Sequence, residues 1–367
     1  MAKNSNLGAA KAAKNDEFYT QYADIQKEIN AYLEYNPDTF RDKVVLLPCD
    51  DPEWSNFTRF FAQNFERLGL KRLISTSYAV ESKKYKNYQP TLFETESPMF
   101  DIDKTRIKGK IFEISHDTNQ NGVIDIDDLE WHYLEGDGDF RSKEVCQLRD
   151  EADIIVTNPP FSLFKDFVTW IFQADKKCLI IGSQGATGYK EIFPLIMENR
   201  LWLGNGFSAG NAYFGLPKEF VRDYASGVYD EKTGLVKFRN CCWLTNLEHG
   251  RRHEPLKLMT MKDNLRYSKH KDIVERGYYE RYYYYDFIDV PYTDAIPSDY
   301  DKEMGVPITY LAKHCPEQFE ILGISTFFAT VKPEGLPKSK QGGPQFYVFR
   351  NGEYVRMYNR IIIRKKR

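Results

Sequence analysis

At 367 residues the chain is long enough for one large domain or two modest ones, and with 42% hydrophobic and 28% charged residues it has the composition of an ordinary soluble protein. A formal net charge of −2 leaves no overall basic signature, so any nucleic acid must be met by local patches. Six cysteines without a CxxC pair suggest neither a zinc site nor a disulfide framework, which suits a reducing cytoplasm, and no apolar run reaches membrane-spanning length.

Residues 1–14, rich in Ala, Asn and Lys and lacking an apolar h-region, read as a flexible basic arm and not a signal peptide. A helix is predicted from about Asp24 to Tyr35, with Ile25, Ile29 and Leu33 on one face and Pro37 ending it. Val44-Val45-Leu46-Leu47 reads as a buried strand stopped by Pro48. The loop Cys49-Asp50-Asp51-Pro52-Glu53 then leads into a helix with Phe57, Phe60, Phe61, Phe65 and Leu68 inward and Gly69 as its stop. Leu73 to Ser77 is the next strand. The order strand, loop, helix, strand recurs around Ile154 and around Leu179-Ile180-Ile181-Gly182, and it predicts a doubly wound α/β sheet.

At about 85–140 the pattern gives way to an acidic, irregular insertion. Within it, Asp117, Asn119, Asn121, Asp125 and Asp128 stand at the first, third, fifth, ninth and twelfth positions of a loop with Gly122 sixth, which fits the calcium-loop template. Asp128 is shorter than the usual Glu, and the segment entering the loop reads as a strand instead of a helix. The other reading is a turn rich in Asx side chains that bond their own backbone. The insertion ends at Gly136-Asp137-Gly138-Asp139-Phe140. Here either Asp139 or Ser142 can start the following helix, or Asp139 and Phe140 can offer a carboxylate and a ring edge to a flat heterocycle.

The most informative stretch is Asp153-Ile154-Ile155-Val156-Thr157-Asn158-Pro159-Pro160-Phe161. Ile154 to Thr157 form a buried strand that must stop at Asn158, because two prolines follow and neither can donate to a ladder. Asn158 therefore sits at the carboxyl end of a core strand, where open α/β sheets bind ligands. The prolines stiffen a loop that presents one amide, two carbonyls and an aromatic ring. Such a corner can accept both hydrogens of a planar exocyclic amine and so make its lone pair usable, while Phe161 stacks on the attached ring. A plain strand-ending Pro-Pro turn is the alternative. Ser162 is expected to cap a helix whose apolar face is Phe164, Phe167, Val168, Ile171 and Phe172.

Further on, a helix is expected from Tyr189 to Asn199, and strands at Leu201 to Leu203, at Asn240 to Leu247 with Trp243, and at the basic tail Arg360 to Arg367. Between them Arg251, Arg252, Lys257, Lys262, Arg266, Lys269, Lys271, Arg276 and Arg281 alternate with Tyr267, Tyr278, Tyr279 and Tyr282 to Tyr285. A charge run is usually a solvated face, but cations interleaved with aromatics also suit a nucleic-acid groove.

Taken in this order, the motifs resemble those of the EcoRI-type adenine-specific DNA methyltransferases over nearly the whole chain. Asn158-Pro159-Pro160-Phe161 resembles the catalytic motif of methyltransferases acting on amino groups of DNA. Phe18-Tyr19-Thr20 looks like the motif lining the methionine end of the S-adenosylmethionine pocket, and Pro48-Cys49-Asp50-Asp51 like the first cofactor loop, here without its usual glycine. Asp139-Phe140 matches the motif whose Asp contacts the cofactor adenine. Cys242-Trp243-Leu244 resembles the strand bordering the target-base pocket. No ribose-binding acid is evident beyond Glu81.

The resemblance implies a Rossmann-like class I methyltransferase sheet with helices on both faces, in a catalytic domain at 15–250. It also implies a smaller, irregular target-recognition region at 251–367. The implied activity is transfer of a methyl group from S-adenosylmethionine to N6 of a flipped-out adenine in double-stranded DNA, by a monomer that can share a system with a cognate restriction endonuclease. Methylation of cytosine N4, or a non-catalytic DNA-binding protein on the same fold, are the competing readings. Calcium would be structural.

Overall fold

A computed structural model describes residues 18–50, 55–79, 97–207, 211–215, 228–336 and 345–366. They divide into two compact units, one formed by the chain up to Ala186 together with Leu203–His249, the other by Thr187–Trp202 with Gly250–Arg367.

The first unit contains β1 (Tyr19–Thr20), β2 (Val44–Leu47), β3 (Arg72–Ser77), β4 (Lys110–Ile114), β5 (Glu130–Tyr133), β6 (Ile154–Thr157) and β7 (Lys177–Ser183). They are followed by β8 (Trp202–Leu203), β9 (Asn211–Gly215), β10 (Tyr229–Asp230), β11 (Leu235–Arg239) and β12 (Cys241–Thr245). An eight-stranded sheet runs in the order β5-β4-β3-β2-β6-β7-β12-β8. Its centre, β3-β2-β6-β7, is parallel, and β2 and β6 are buried along their whole length, as all-apolar strands covered on both faces must be. The flanking strands β4, β5 and β12 run antiparallel to their neighbours, so the sheet is mixed, with a parallel centre and antiparallel flanks. Between β4 and β5 the connection holds only the 3-10 turn Ile126–Asp128 and no crossover helix of the kind that parallel pairing needs.

The helix expected at Asp24 to Tyr35 spans Tyr22–Tyr35 and buries Ile25 and Ile29. The phenylalanine-rich helix forms as two pieces, Asn56–Gln63 and Phe65–Leu68, and Gly69 closes the second in the left-handed region at φ 64°. Both pieces press their rings into a core shared with β2, β6, β7 and β12. A second sheet of the same unit, β1-β9-β11-β10, is antiparallel and brings the Phe18 end of the chain alongside Phe214 and Phe238.

The second unit is more regular than its composition suggests. Strands β13 (Ile288–Asp289), β14 (Met304–Pro307), β15 (Phe319–Ile324), β16 (Tyr347–Arg350), β17 (Glu353–Arg356) and β18 (Arg360–Lys365) make a four-stranded sheet, β13-β14-β18-β15, and a hairpin, β16-β17. The basic tail is thus an inner strand. Arg360 forms a buried ion pair with Asp289 at 2.7 Å, and the Tyr282 hydroxyl donates to the same carboxylate at 2.6 Å. The expected helix at Tyr189 to Asn199 shrinks to Phe193–Met197, with Pro194 in its first turn. Among the described residues no helix is long and apolar enough to cross a membrane.

Candidate active site

The corner predicted from the two prolines is present. Strand β6 ends at Thr157, whose hydroxyl donates to the Pro48 carbonyl at 2.9 Å and so ties the Asn158 loop to the loop after β2. Asn158 donates its side-chain amide to the Phe18 carbonyl at 2.8 Å. That bond fixes the rotamer and leaves Oδ1 buried with no hydrogen-bond partner among the described residues. Pro159 is buried and Pro160 partly so. The Phe161 ring is half-buried, its centroid 6.2 Å from those of both Phe18 and Phe238. Ser162 does not cap the next helix: Phe161–Leu163 form a 3-10 turn closed by the Pro160 carbonyl, and the α-helix begins at Phe164. The proline-fixed geometry favours this tighter turn before α-helical spacing can begin.

Phe18, Tyr19 and Thr20 reach the same corner. Asn56 donates to the Thr20 carbonyl at 2.8 Å, and the Thr20 hydroxyl oxygen is buried without a partner among the described residues. In the loop after β2, Cys49 adopts φ 62°, the left-handed conformation that glycine takes at low cost. The chain thus makes the tight turn without glycine, at a backbone cost of about 1–2 kcal/mol. Next to it Asp50 is held rather than open. Its carboxylate accepts the hydroxyls of Ser55 at 2.5 Å and Thr58 at 3.0 Å, and its carbonyl accepts the Ser75 hydroxyl at 2.5 Å. Asp51 lies outside the described residues, as does Glu81.

The Asp139 carboxylate forms a two-point pair with Arg141, Oδ2 to Nη2 at 2.6 Å and Oδ1 to Nε at 2.9 Å. Those hydrogen bonds hold Asp139 below the usual carboxylate range. Ser142, not Asp139, caps the following helix, accepting from the Val145 amide at 3.2 Å. Phe140 offers no ring edge: it is fully buried against Phe167 and Trp170, with centroids at 5.1 and 5.5 Å. Trp243 is likewise core, only 1% exposed, stacked on Phe207 at 5.5 Å and edge-on to Phe57. Both aromatics were expected to face a ligand, and both fill the interior instead.

The acidic loop follows the Asx-turn reading. Asp128 accepts the amides of Thr118 at 2.8 Å, Asn119 at 3.2 Å and Asp125 at 3.0 Å, while Asp117 accepts those of Asn121 at 3.2 Å and Gly122 at 2.7 Å. Asn119, Asn121 and Asp125 each accept an amide two residues on. The loop's carboxylates are turned to its own backbone amides. Among the described residues, no group of three or more His, Cys, Asp or Glu is placed to hold a metal ion.

One residue at this face has no counterpart in the sequence motifs. Tyr78 directly follows β3, and its buried hydroxyl lies beside the Cys49 thiol, Asp139 and the Phe140 amide. Burial is the main cause that pushes its phenol well above the usual range. Position alone, immediately after a parallel strand, was the available signal.

The basic stretch is partly structural. Arg252 is buried over the Trp202 ring at 3.5 Å, Arg276 pairs with Glu280 and Lys269 with Asp294, and Tyr279 and Tyr282 are core. Lys262, Arg266, Tyr267 and Lys271 remain exposed on the short helices Met261–Tyr267 and Lys271–Arg276.

Against known proteins, the family described as "Adenine-specific methyltransferase EcoRI" matches residues 6–366. The chain belongs to this family. It is 40% identical over 323 residues to the type II methyltransferase M.EcoRI of Escherichia coli, covering 88% of this chain and 89% of that protein. It is 32% identical to the type II methyltransferase M.MpnI of Mycoplasma pneumoniae, with 97% of both chains covered. A third relative, the type II methyltransferase M.MgeORF184P of Mycoplasma genitalium, is 30% identical over 98% of this chain and 99% of its own. No solved structure matches the chain. As a member of the EcoRI family the protein is an adenine-specific DNA methyltransferase.

Proposed function

We propose that the chain methylates adenine N6 in duplex DNA with S-adenosylmethionine as donor, on a Rossmann-like class I methyltransferase sheet, and that Asn158 holds the target amine. The observation that carries this reading is the Asn158 side chain: its amide is committed to the Phe18 carbonyl, and Oδ1 is buried with no donor facing it among the described residues. A buried acceptor left unpaired costs about 1–3 kcal/mol, so the corner is suited to a donor that arrives with the substrate. A nucleobase amine is such a donor. Asn158 Oδ1 and the Pro159 carbonyl together accept its two hydrogens, which favours a more tetrahedral nitrogen with an available lone pair. Because Asn158 is preset by Phe18 and the loop by its prolines, little reorganisation is left for the reaction itself. Phe161 supplies the stacking face.

Phe18, Tyr19, Thr20, Pro48, Cys49, Asp50 and Asp139 are the residues that would hold the cofactor, and the unpaired Thr20 hydroxyl fits a polar ligand there. S-adenosylmethionine supplies an already activated methyl group, so the protein needs no covalent nucleophile. A base within a duplex cannot enter such a corner, so the adenine is flipped out. We assign catalysis to the unit with the eight-stranded sheet. Target reading falls to the region 251–367, where Lys262, Arg266 and Lys271 face solvent for phosphate contact. As with relatives named type II methyltransferases, a cognate restriction endonuclease is the natural counterpart.

The test is to incubate the protein with duplex DNA and labelled cofactor, digest to nucleosides and identify the labelled base. N6-methyladenine is expected. N4-methylcytosine would move the target, and no transfer to any DNA would favour a non-catalytic DNA-binding protein.

A further inference from the structure

We infer that Tyr78 is a cofactor-binding residue, its hydroxyl hydrogen-bonding a ribose hydroxyl of the S-adenosylmethionine nucleoside; this rests on the cofactor reading above. In parallel α/β sheets, the group just beyond the second strand meets the ribose of a nucleotide lying across the strand ends. An acid usually stands there. Here β3 is that strand, and the residues that leave it are Ser77, Tyr78 and Ala79.

Three observations place Tyr78 in that role. Its hydroxyl oxygen is buried, and among the described residues nothing meets it in good hydrogen-bond geometry; the Cys49 thiol and the Phe140 amide lie beside it, and the thiol is a weak hydrogen bonder. A buried polar atom left this way needs a reason, and an absent ligand is one. Its neighbours are Cys49, from the loop after β2, and Asp139, the two segments whose motifs point to the same cofactor. Its backbone is also tightly held. The Ala79 amide donates to the Asp137 carbonyl at 2.8 Å, and Gly109 and Gly138 both press on the Ser77 carbonyl so closely that a Cβ on either would overlap it. The hydroxyl is therefore presented from a fixed backbone and not from a loose loop.

The experiment is calorimetric titration of wild-type and Tyr78→Phe protein with S-adenosylhomocysteine and with its counterparts lacking the 2′- or the 3′-hydroxyl. Loss of one neutral hydrogen bond predicts about tenfold weaker binding of S-adenosylhomocysteine to Tyr78→Phe. Wild type should also lose about tenfold on one of the deoxy counterparts, and Tyr78→Phe should bind that counterpart no worse than wild type does. The urea midpoint of ligand-free Tyr78→Phe should be unchanged or higher, since an unsatisfied hydroxyl is all that is removed; a purely structural hydroxyl would lower it. Equal affinity of both proteins for S-adenosylhomocysteine, or a tenfold loss that persists against both deoxy counterparts, overturns the inference. Failure of wild type to bind S-adenosylhomocysteine at all instead removes the cofactor reading beneath it.

Discussion

Gly138→Ala is a sharp perturbation because two separable costs meet at one position. Gly138 has φ 86°, a backbone region that an L side chain occupies only under strain, worth about 1–2 kcal/mol. An added Cβ would also overlap the Ser77 carbonyl oxygen and stand 3.1 Å from its carbon and 3.3 Å from the Tyr78 Cα. These are backbone atoms of a buried strand end, so they cannot swing aside, and overpacking of this kind costs about 1–3 kcal/mol. The sum is roughly 2–5 kcal/mol. The chain contains its own controls. Gly122 has the same φ of 86° with nothing within 4 Å among the described residues, so Gly122→Ala carries only the conformational part; Gly136 has no described neighbour that close and no positive φ, so Gly136→Ala should be near neutral. Urea unfolding of the three variants separates the terms, and titration with S-adenosylhomocysteine reads the displacement of Tyr78 and Asp139 as at least a tenfold loss for folded Gly138→Ala. If Gly138→Ala unfolds with the same midpoint as Gly122→Ala, the close packing of this loop on β3 is wrong.

Three other outcomes follow from the same geometry. Arg360→Ala strands the fully buried Asp289 carboxylate and should destabilise the protein by about 3–5 kcal/mol in urea unfolding, whereas Arg364→Ala breaks only half-exposed pairs and should cost about 1 kcal/mol or less. At Cys49, φ 62° predicts that Cys49→Gly leaves the unfolding midpoint unchanged or raised, while the β-branched Cys49→Val lowers it; equal midpoints would contradict the strained turn. Burial, aided by Arg252 and Lys366, lowers His314 to about 4, so the folded state keeps its imidazole neutral. Because the folded value lies below the unfolded one of about 6.5, this contribution is complete above that pH and is lost as pH falls toward 4. His314→Gln should flatten the stability profile in that window, by an amount of order 1–3 kcal/mol.

What could be read in advance were features that a short stretch determines by itself. Val44 to Leu47 and Ile154 to Thr157 are apolar throughout, so they had to be covered strands, and Pro159 and Pro160 had to end the second one beside Asn158. Gly69 closed its helix for the same local reason. What escaped depended on contacts distant in sequence. Phe140 and Trp243 have the same composition cues whether a ring stacks on a ligand or on Phe167 and Phe207, and only the packing decides. The calcium template counts oxygens at intervals but says nothing of where they point, and here the backbone amides of the loop take them. The antiparallel edge at β4 and β5 belongs to an insertion without a strand–helix rhythm.

The proposed chemistry turns on one amide oxygen, Asn158 Oδ1. Its most direct test is Asn158→Ala, assayed both for transfer of labelled methyl groups to duplex DNA and for S-adenosylhomocysteine affinity. Loss of the amine-holding acceptor predicts a fall in turnover of at least a hundredfold, comparable to removal of one preorganised transition-state partner, with cofactor affinity within about threefold of wild type. Asn158→Ala protein that methylates DNA at near wild-type rates would contradict the account.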